Sequence, residues 1–263
     1  MKSIPIYLTI LLFSFNLIFS QTTNIESPPF KAGENLEYRV HYGIFNASYA
    51  SLKLSNNDLN DETLLASGYG KTIGLARFFF KVEDYYSSYF DIKKVKPIIF
   101  KRNIYEGGYT KNLEVYFDSQ LKKATVNNIK NGTVKEVSTK ANVQDLISSL
   151  YYLRKNFSEE NIKVGDYFKI NMFYDSKNRE LALKFLGIET INTKFGKVEC
   201  LKLMPATNRS RIFKGEGSIT IWLTNDKNRI PIRVQADLLV GSIKADLDKF
   251  SGVANPFNIK VKS

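Results

Sequence analysis

The sequence contains one histidine, His41, and one cysteine, Cys200, so any proton-relay or thiol chemistry would have to use them. A Ser-His-Asp or Cys-His relay needs an imidazole to move the proton. His41 lies in a segment that alternates apolar and polar side chains, and no nucleophile-elbow motif is present, which favours a structural histidine. Cys200 lies in a similar segment and is predicted to be a small buried side chain. One His and one Cys are too few for a typical zinc site. We therefore expect no catalytic residue, no metal and no cofactor.

Pairs of carboxylates are the other source of chemistry, because glycoside hydrolysis needs two of them in one cleft. The candidate pairs are Glu83 with Asp84, Glu159 with Glu160, and Asp58 with Asp61. Adjacent residues of a strand point to opposite faces, so Glu83 and Asp84 cannot act together without a bulge. A polysaccharide-acting enzyme is the least favoured hypothesis, and we expect the protein not to be an enzyme.

Aromatic residues cluster between residues 78 and 90 and recur in the centre of the chain. Consecutive aromatic residues make both faces of a strand apolar, which indicates either a solid core or the wall of an apolar cavity. Both interpretations stay open from the sequence. For the cavity, the predicted ligand-binding residues are Phe78, Phe80, Tyr85, Tyr89, Tyr151 and Trp222.

The secondary-structure elements that position these residues are predicted to be mostly strands. Alternating patterns cover residues 36–42, 50–54, 64–69, 78–90, 98–103, 113–117, 123–127, 133–139, 167–173, 181–186, 198–204, 218–223, 232–239 and 243–250. Turn residues such as Gly107-Gly108 and Asn131-Gly132 separate them. Many short strands with frequent turns predict an all-β fold, a mostly antiparallel sheet that is curled or forms a half-barrel.

One segment has helical spacing instead, and we predict a packed α-helix at about 143–156. Asn142 is the expected N-cap, and Asp145 and Arg154 would suit the two ends of the helix dipole. A lone amphipathic helix in an antiparallel protein covers one face of the sheet. Its central position allows two lobes, but no Pro/Gly/Ser-rich linker is present, so we expect one domain over residues 21–263.

The composition excludes several classes of protein. Aromatic residues at 13% and hydrophobic residues at 43% exclude a disordered chain. The formal net charge is +12, but the lysines are dispersed and form no cluster that could follow a phosphate backbone, so no nucleic-acid partner is expected. A solvated surface is the favoured interpretation, and weak attraction to anionic lipid headgroups is the alternative.

Residues 1–20 have a charged start, an apolar run and a small residue before Gln21, which predicts a secretory signal peptide. A retained membrane anchor is the weaker alternative. No cysteine lies near residue 20 to carry a lipid, so we expect an exported, soluble periplasmic protein that is not a lipoprotein and has no transmembrane segment after cleavage.

The order of several motifs resembles the family called domain of unknown function 3108, common among exported proteins of Bacteroidetes and other Gram-negative bacteria. The motifs are GENLEYRVHYG at 33–43, FFKVEDYYSSY at 79–89, NIYEGGY at 103–109, VQDLISSLYYLR at 143–154, IWLTND at 221–226 with Pro231, and GSIKA at 241–245. The resemblance spans nearly the whole chain after residue 20. It implies no established activity and no catalytic residues.

The hairpin at 222–233 is also similar, more loosely, to one in periplasmic lipoprotein carriers and their sorting-factor relatives. Those carriers are curved antiparallel half-barrels closed by helices, and they hold acyl chains. The likeness favours a soluble periplasmic protein that binds a hydrophobic or lipid-like envelope ligand in an apolar groove. An envelope scaffold that presents an exposed aromatic patch to another protein is the alternative.

Overall fold

The structure is a computed structural model that describes residues 28–206 and 219–258. The predicted signal peptide lies outside the described residues. The predicted all-β, antiparallel, curled fold is confirmed. The strands are β1 (Asn35–Tyr42), β2 (Phe45–Ser55), β3 (Thr63–Thr72), β4 (Val82–Asp91), β5 (Pro97–Glu106), β6 (Tyr109–Asp118), β7 (Lys123–Asn128), β8 (Thr133–Ser138), β9 (Tyr167–Tyr174), β10 (Lys177–Thr193), β11 (Gly196–Pro205), β12 (Ile219–Thr224), β13 (Pro231–Asp237) and β14 (Ser242–Ser251). The helices are α1 (Gly74–Phe79) and α2 (Ser148–Asn156).

All 14 strands belong to one sheet, in the order β8-β7-β6-β5-β4-β3-β2-β1-β14-β13-β12-β11-β10-β9. Nearly every neighbour in the sheet is therefore also a neighbour in sequence, and two-residue turns connect several of the pairs, such as β1–β2, β5–β6 and β9–β10. The β5–β6 turn shows why glycine is required: Gly107 has φ 56°, and a Cβ there would lie 2.2 Å from the ring of Phe80.

The sheet curls until its two edges approach each other. Residues 139–144 follow β8 and reach β9, where Gln144 is a parallel neighbour of Met172. The Gln144 amide donates to the Asn171 carbonyl, and the Phe173 amide donates to the Gln144 carbonyl, both at 2.8 Å. The described strands therefore form an open, curled sheet with this segment at its seam.

Helix α2 begins later than predicted. Asn142 has φ 51° and Gln144 is extended along β9, so neither begins the helix. Instead the carboxylate of Asp145 accepts hydrogen bonds from the amides of Ile147 and Ser148, while the Ser148 hydroxyl accepts one from the Asp145 amide. This reciprocal arrangement has the logic of a capping box, and it makes Asp145 rather than Asn142 the residue that begins the helical turn.

A second helix, α1, lies where a strand from 78 to 90 was predicted. The strand begins only at Val82, because the Thr72 hydroxyl accepts a hydrogen bond from the Val82 amide and donates one to the Phe80 carbonyl. These two bonds hold the chain between Thr72 and Val82 in a compact connection that contains α1. The three consecutive phenylalanines at 78–80 lie in or directly after α1 and are exposed, so they form neither a strand nor a core.

Candidate functional site

Helix α2 packs against one face of the curled sheet, which we call the concave face. Tyr151 is fully buried in one core cluster with Leu36, Leu52 and Ala66, and Ile147 lies against Gly68 of β3. A Cβ at Gly68 would lie 3.2 Å from the Ile147 side chain, so a larger residue there would displace the helix. The side chains that share a face with these residues therefore define the interior of the fold.

The start of α2 is fixed to the sheet by a buried polar contact. The Ser88 hydroxyl donates to the Asp145 carboxylate at 2.6 Å, and both side chains are fully buried. Burial raises the pKa of Asp145 to about 6, and the hydrogen bonds from Ser88 and from the helix start partly oppose this. Asp145 thus ties the helix to β4 at a fixed position on the concave face.

Beyond the region that α2 covers, the concave face stays half-exposed. The strand registers place one residue from each of six adjacent strands side by side in a row: Ser48, Val40, Ala245, Val234, Ile221 and Leu203. Ala50 and Gly70 form a neighbouring pair. We call the six half-exposed positions with apolar or no side chains the trough: Val40, Ala50, Gly70, Ile221, Val234 and Ala245.

The small size of these residues creates the space. Nothing lies within 4 Å of the position that a Cβ would take at Gly70. On a sheet face that looks toward the core, half-exposed apolar positions are unusual, because burying them stabilises the fold by ~25 cal/mol per Å². The trough is therefore a group of small apolar positions that are only half-buried on the concave face.

Charged side chains lie on the same concave face, two strands away from Gly70. Arg102 is nearly buried, with its guanidinium over the rings of Tyr86 and Tyr174. It donates to Asp175, in the β9–β10 turn, at 3.0 Å, and Lys111 binds the same carboxylate. Burial acts to raise the pKa of Asp175, but the hydrogen bond from Lys111 and the two positive charges hold that pKa below its usual value. This cluster fixes the β9–β10 hairpin over the sheet.

An acidic residue, Asp84, lies still closer to the trough, since it pairs with Gly70. Burial and the nearby Glu106 raise the pKa of Asp84. Its neighbour Glu83 points to the opposite face, as expected, and bonds Arg77 at 2.9 Å. The two carboxylates therefore do not form a catalytic pair.

The six residues predicted to line a cavity do not share one wall. Phe78 and Phe80 lie in and directly after α1 and are exposed to solvent. Tyr85 and Tyr89 lie on the outer face of β4, opposite to Ser88 and Phe90, which face α2. Tyr85 stacks on Tyr69, with ring centroids 4.7 Å apart.

The other two predicted residues are both buried in one core cluster, on different elements. Tyr151 packs between Phe30 and Phe90 in the solid core beneath α2. Trp222 lies on the face of β12 opposite to Leu223, where it pairs with Lys202 and Arg233, and it is buried in the core cluster. Its indole nitrogen donates to Glu189 at 3.1 Å. The predicted aromatic residues thus lie in the core, on the outer surface of the sheet and at its exposed end. The trough is built from small residues, which the clustering of aromatic residues in the sequence did not indicate.

His41 and Cys200 are engaged in structural contacts. The two ring nitrogens of His41 lie 2.8 Å from the Gly43 carbonyl and 2.9 Å from the Asp246 carboxylate. Cys200 is fully buried, as predicted, and burial raises the pKa of its thiol to about 12. In residues 28–206 and 219–258, no group of three or more His, Cys, Asp or Glu side chains converges as metal ligands would.

A cleft of about 660 Å³ lies outside the trough, beside the loop that follows α2. Its lining is mixed in polarity and includes Asn156, Asp166 and Phe168. None of the helices in the described part of the chain is both long and apolar enough to cross a bilayer.

Comparison with known proteins identifies relatives without a known function. The model of the family described as "Protein of unknown function (DUF3108)" matches residues 37–248. No curated protein matches the sequence. A β-barrel-like protein of domain of unknown function DUF1849 from Brucella abortus has a similar structure, with a TM-score of 0.52 and 10% identity over 82% of this chain and 96% of that one.

Two further solved structures are more distant. A DUF1089 family protein from Pseudomonas aeruginosa gives a TM-score of 0.39 at 10% identity, over 76% of this chain and 95% of that one. A protein from Bacteroides fragilis, described as exported and with a YmcC-like fold, gives 0.34 at 10% identity, over 86% and 98%. Of these three, the Brucella structure is similar enough to support the fold, and it supports the fold alone.

Proposed function

The chain belongs to the DUF3108 family of proteins of unknown function, and we propose that it is a non-enzymatic protein that holds a hydrophobic, lipid-like ligand in the trough. The observation that carries this proposal is the concave face beyond α2, where Val40, Val234 and Ala245 stay half-exposed in the interior of a curled sheet. An acyl chain laid along these positions would gain ~0.8 kcal/mol for each CH₂ group that it buries.

Basic side chains three strands from Gly70, beyond Asp84, favour a ligand whose anionic headgroup lies at a distance from the trough. Lys111 keeps part of its side chain exposed, and the adjoining cleft of about 260 Å³ is lined by Lys111, Lys135 and Asp175. A phosphate or carboxylate there would meet the ammonium groups of Lys111 and Lys135. The Asp175 carboxylate would then contact both its present partners and solvent. The apolar chain and the charged head would thus have separate places on one face.

The proposed location is the periplasm, after export. This part of the proposal is supported by the signal-peptide pattern at residues 1–20 and by the absence of a cysteine near residue 20. A protein that carries or holds lipid between two membranes needs an apolar groove and an otherwise polar surface, and 14 strands around one packed helix provide such a scaffold.

The geometry of the titratable groups supports a role without catalysis. Both ring nitrogens of His41 already contact oxygen atoms, of Gly43 and Asp246, so neither lies against a serine or cysteine nucleophile. The buried thiol of Cys200 is held in its neutral form, which is a poor nucleophile.

An envelope interaction module is the second candidate, and one observation favours it. Several large apolar side chains are exposed at one end of the sheet, among them Ile44 and Phe78. If the function were to bind a stable protein partner through these exposed side chains, the trough would have no role in it.

The test of the proposed function is native mass spectrometry of the protein purified from its envelope fraction without detergent. We expect the wild-type protein to carry a bound lipid, and the variant Gly70→Leu to lose it, because the new side chain occupies the trough. Gly70 has no positive φ and no atom near its Cβ position, so the variant should be at least as stable as wild type.

Ser67→Leu is the matched control, since Ser67 lies on the opposite face of the same strand. It should retain the lipid. Repeated purification of a folded wild-type protein without lipid would contradict the proposal, and so would equal lipid content in Gly70→Leu.

A further inference from the structure

Three strand connections at one end of the sheet each expose two adjacent large apolar side chains. Ile44 and Phe45 connect β1 to β2, Phe78 and Phe79 lie in α1, and Leu239 and Val240 connect β13 to β14. We call these six residues the apolar rim. Their exposed fractions are 90%, 69%, 84%, 80%, 73% and 76%, so they are almost free of contact with the rest of the protein.

The three connections are neighbours at one end of the sheet. Tyr42 pairs with Ile243, and the Tyr42 hydroxyl donates to the Val240 carbonyl at 3.1 Å, which places the β1–β2 and β13–β14 connections side by side. The Ile73 amide donates to the Ala47 carbonyl at 3.0 Å, which places α1 beside the start of β2. The apolar rim is therefore one surface, made of three adjacent protrusions.

The apolar rim is continuous with the trough. On the concave face, Val40 is two residues from Tyr42, and Gly70 is four residues from the first residue of α1. Ala245 is likewise two residues after Ile243 on β14. The open end of the trough therefore lies between the protrusions, where a ligand would leave or enter.

Charge indicates what this surface meets. The connecting residues 43–44, 73–81 and 238–241 contain two charged side chains, Arg77 and Lys81, and both are basic. Glu83, in β4, pairs with Arg77 at 2.9 Å and lies 4.0 Å from Lys81, so this group carries one net positive charge and most of the attraction would come from the whole chain. The formal net charge of the whole chain is +12. Apolar tips with basic neighbours match the interface of a bilayer with anionic headgroups, where aromatic and aliphatic side chains enter the acyl boundary and cations stay at the headgroups.

We propose that the apolar rim docks on the surface of a lipid bilayer that contains anionic phospholipid, with Phe78, Phe79, Ile44 and Phe45 inserted into the interface. This rests on the proposed function in one respect, since docking would bring the open end of the trough to the membrane that supplies or receives its ligand. Binding to the bilayer itself needs no ligand in the trough.

The test is flotation of the purified protein with vesicles of phosphatidylcholine, with and without 30% phosphatidylglycerol (a composition chosen for about one charged lipid in three). We expect binding to the mixed vesicles, and weaker binding in high salt, which screens the lysines. The variant Phe78→Ser/Phe79→Ser should bind at least about tenfold more weakly, because two interfacial anchors are removed.

Leu59→Ser/Leu121→Ser is the matched control. Leu59 and Leu121 are also exposed, at turns on the opposite end of the sheet, so their replacement should leave vesicle binding unchanged. In addition, Phe79→Trp should give a blue-shifted emission with mixed vesicles that brominated acyl chains quench.

The proposal is overturned if wild-type protein fails to float with mixed vesicles, if the Phe78/Phe79 variant floats as well as wild type, or if phosphatidylcholine alone binds as strongly. Native mass spectrometry of the same variants separates the two proposals. A protein that carries lipid but ignores vesicles contradicts docking alone, whereas one that binds vesicles without a bound ligand contradicts the trough alone.

Discussion

Arg154 and Glu34 form a bidentate ion pair in which both side chains are completely buried. The two guanidinium nitrogens of Arg154 donate to the two carboxylate oxygens at 2.6 and 2.7 Å. The same guanidinium donates to the carbonyls of Pro29 and Asn228 and lies over the rings of Phe30 and Tyr151. One side chain thus connects α2 to the segment before β1 and to the β12–β13 loop, and so holds the helix that fills half of the concave face.

Removal of one partner of this pair is predicted to destabilise the protein strongly. Glu34→Gln leaves the Arg154 cation buried without its counter-charge, and we expect a loss of about 3–5 kcal/mol in the free energy of unfolding. Urea denaturation followed by circular dichroism measures it. Glu62→Gln is the control, because the Glu62–Lys93 pair is exposed and its loss should have no measurable effect.

The apolar replacement Glu34→Leu/Arg154→Met should recover most of the stability lost in Glu34→Gln, because no uncompensated charge stays buried. If Glu34→Gln unfolds at the same urea concentration as wild type, the pair does not anchor α2 in the way described.

Asp145 is predicted to make the stability depend on pH. Its folded pKa is about 6 against an ordinary value of 3.8, so the folded state binds the extra proton between these values. The contribution of this group to stability therefore falls as pH rises from 4 to 7, by roughly 2–3 kcal/mol. Asp145→Asn keeps an oxygen for the amides of Ile147 and Ser148 and removes this dependence.

The difference in unfolding free energy, Asp145→Asn minus wild type, should therefore become more positive between pH 4 and pH 7. Asp246→Asn is a control of opposite sign. Burial opposes the shift, but hydrogen bonds from Arg233 and His41 lower the pKa of Asp246 below its ordinary value of 3.8. The stability that its carboxylate supplies is therefore lost as pH falls below about 4, and this control is measured in that lower range. A difference for Asp145→Asn that is independent of pH would show that this carboxyl titrates normally.

The thiol of Cys200 is predicted to be inert in the folded protein. It is fully buried, and burial raises its pKa to about 12, so almost no thiolate is present at pH 8. A colorimetric disulfide reagent should detect no thiol in native protein and one thiol in urea. Ser55→Cys, at an exposed position of β2, should add one thiol that reacts at once. Rapid native labelling of Cys200 would contradict the burial.

The tip of the β9–β10 hairpin is predicted to depend on Asp175. Asp175→Ala leaves Arg102 without its carboxylate partner and releases Lys111, so backbone amides near Lys177 should exchange with deuterium faster. Glu180→Ala removes an exposed pair with Lys169 on the same hairpin and should leave exchange at the tip unchanged. Equal exchange in both variants would show that the tip is held by other contacts.

Much of the sheet could be predicted from sequence, because alternating side chains directly report a strand with one face buried. The start of α2 could not, since Asn142 and Asp145 are both good N-caps and the choice depends on Ser88 and on pairing of Gln144 with β9, which are distant in sequence. Arg154 suited the helix dipole, but its function as a buried anchor depends on Glu34, 120 residues away.

The candidate site was harder to predict for a related reason. Aromatic residues give a strong signal, yet the same residue type serves core, outer face and rim, as Tyr151, Tyr85 and Phe78 show. The trough consists of side chains that are absent or small, such as Gly70 and Ala245. The only sequence signal was their alternation with larger residues along β3 and β14, and the register of the strands was needed to bring them together.

The most direct test of the lipid-binding trough is photo-crosslinking with an anionic phospholipid that carries a diazirine near the end of one acyl chain. After irradiation, the labelled residues are identified by peptide mass spectrometry. We predict adducts on the concave positions Val40, Ala50, Val234 and Ala245, and their loss in Gly70→Leu but not in Ser67→Leu. Labelling confined to the outer face or to the apolar rim, or labelling that Gly70→Leu leaves unchanged, would contradict the account.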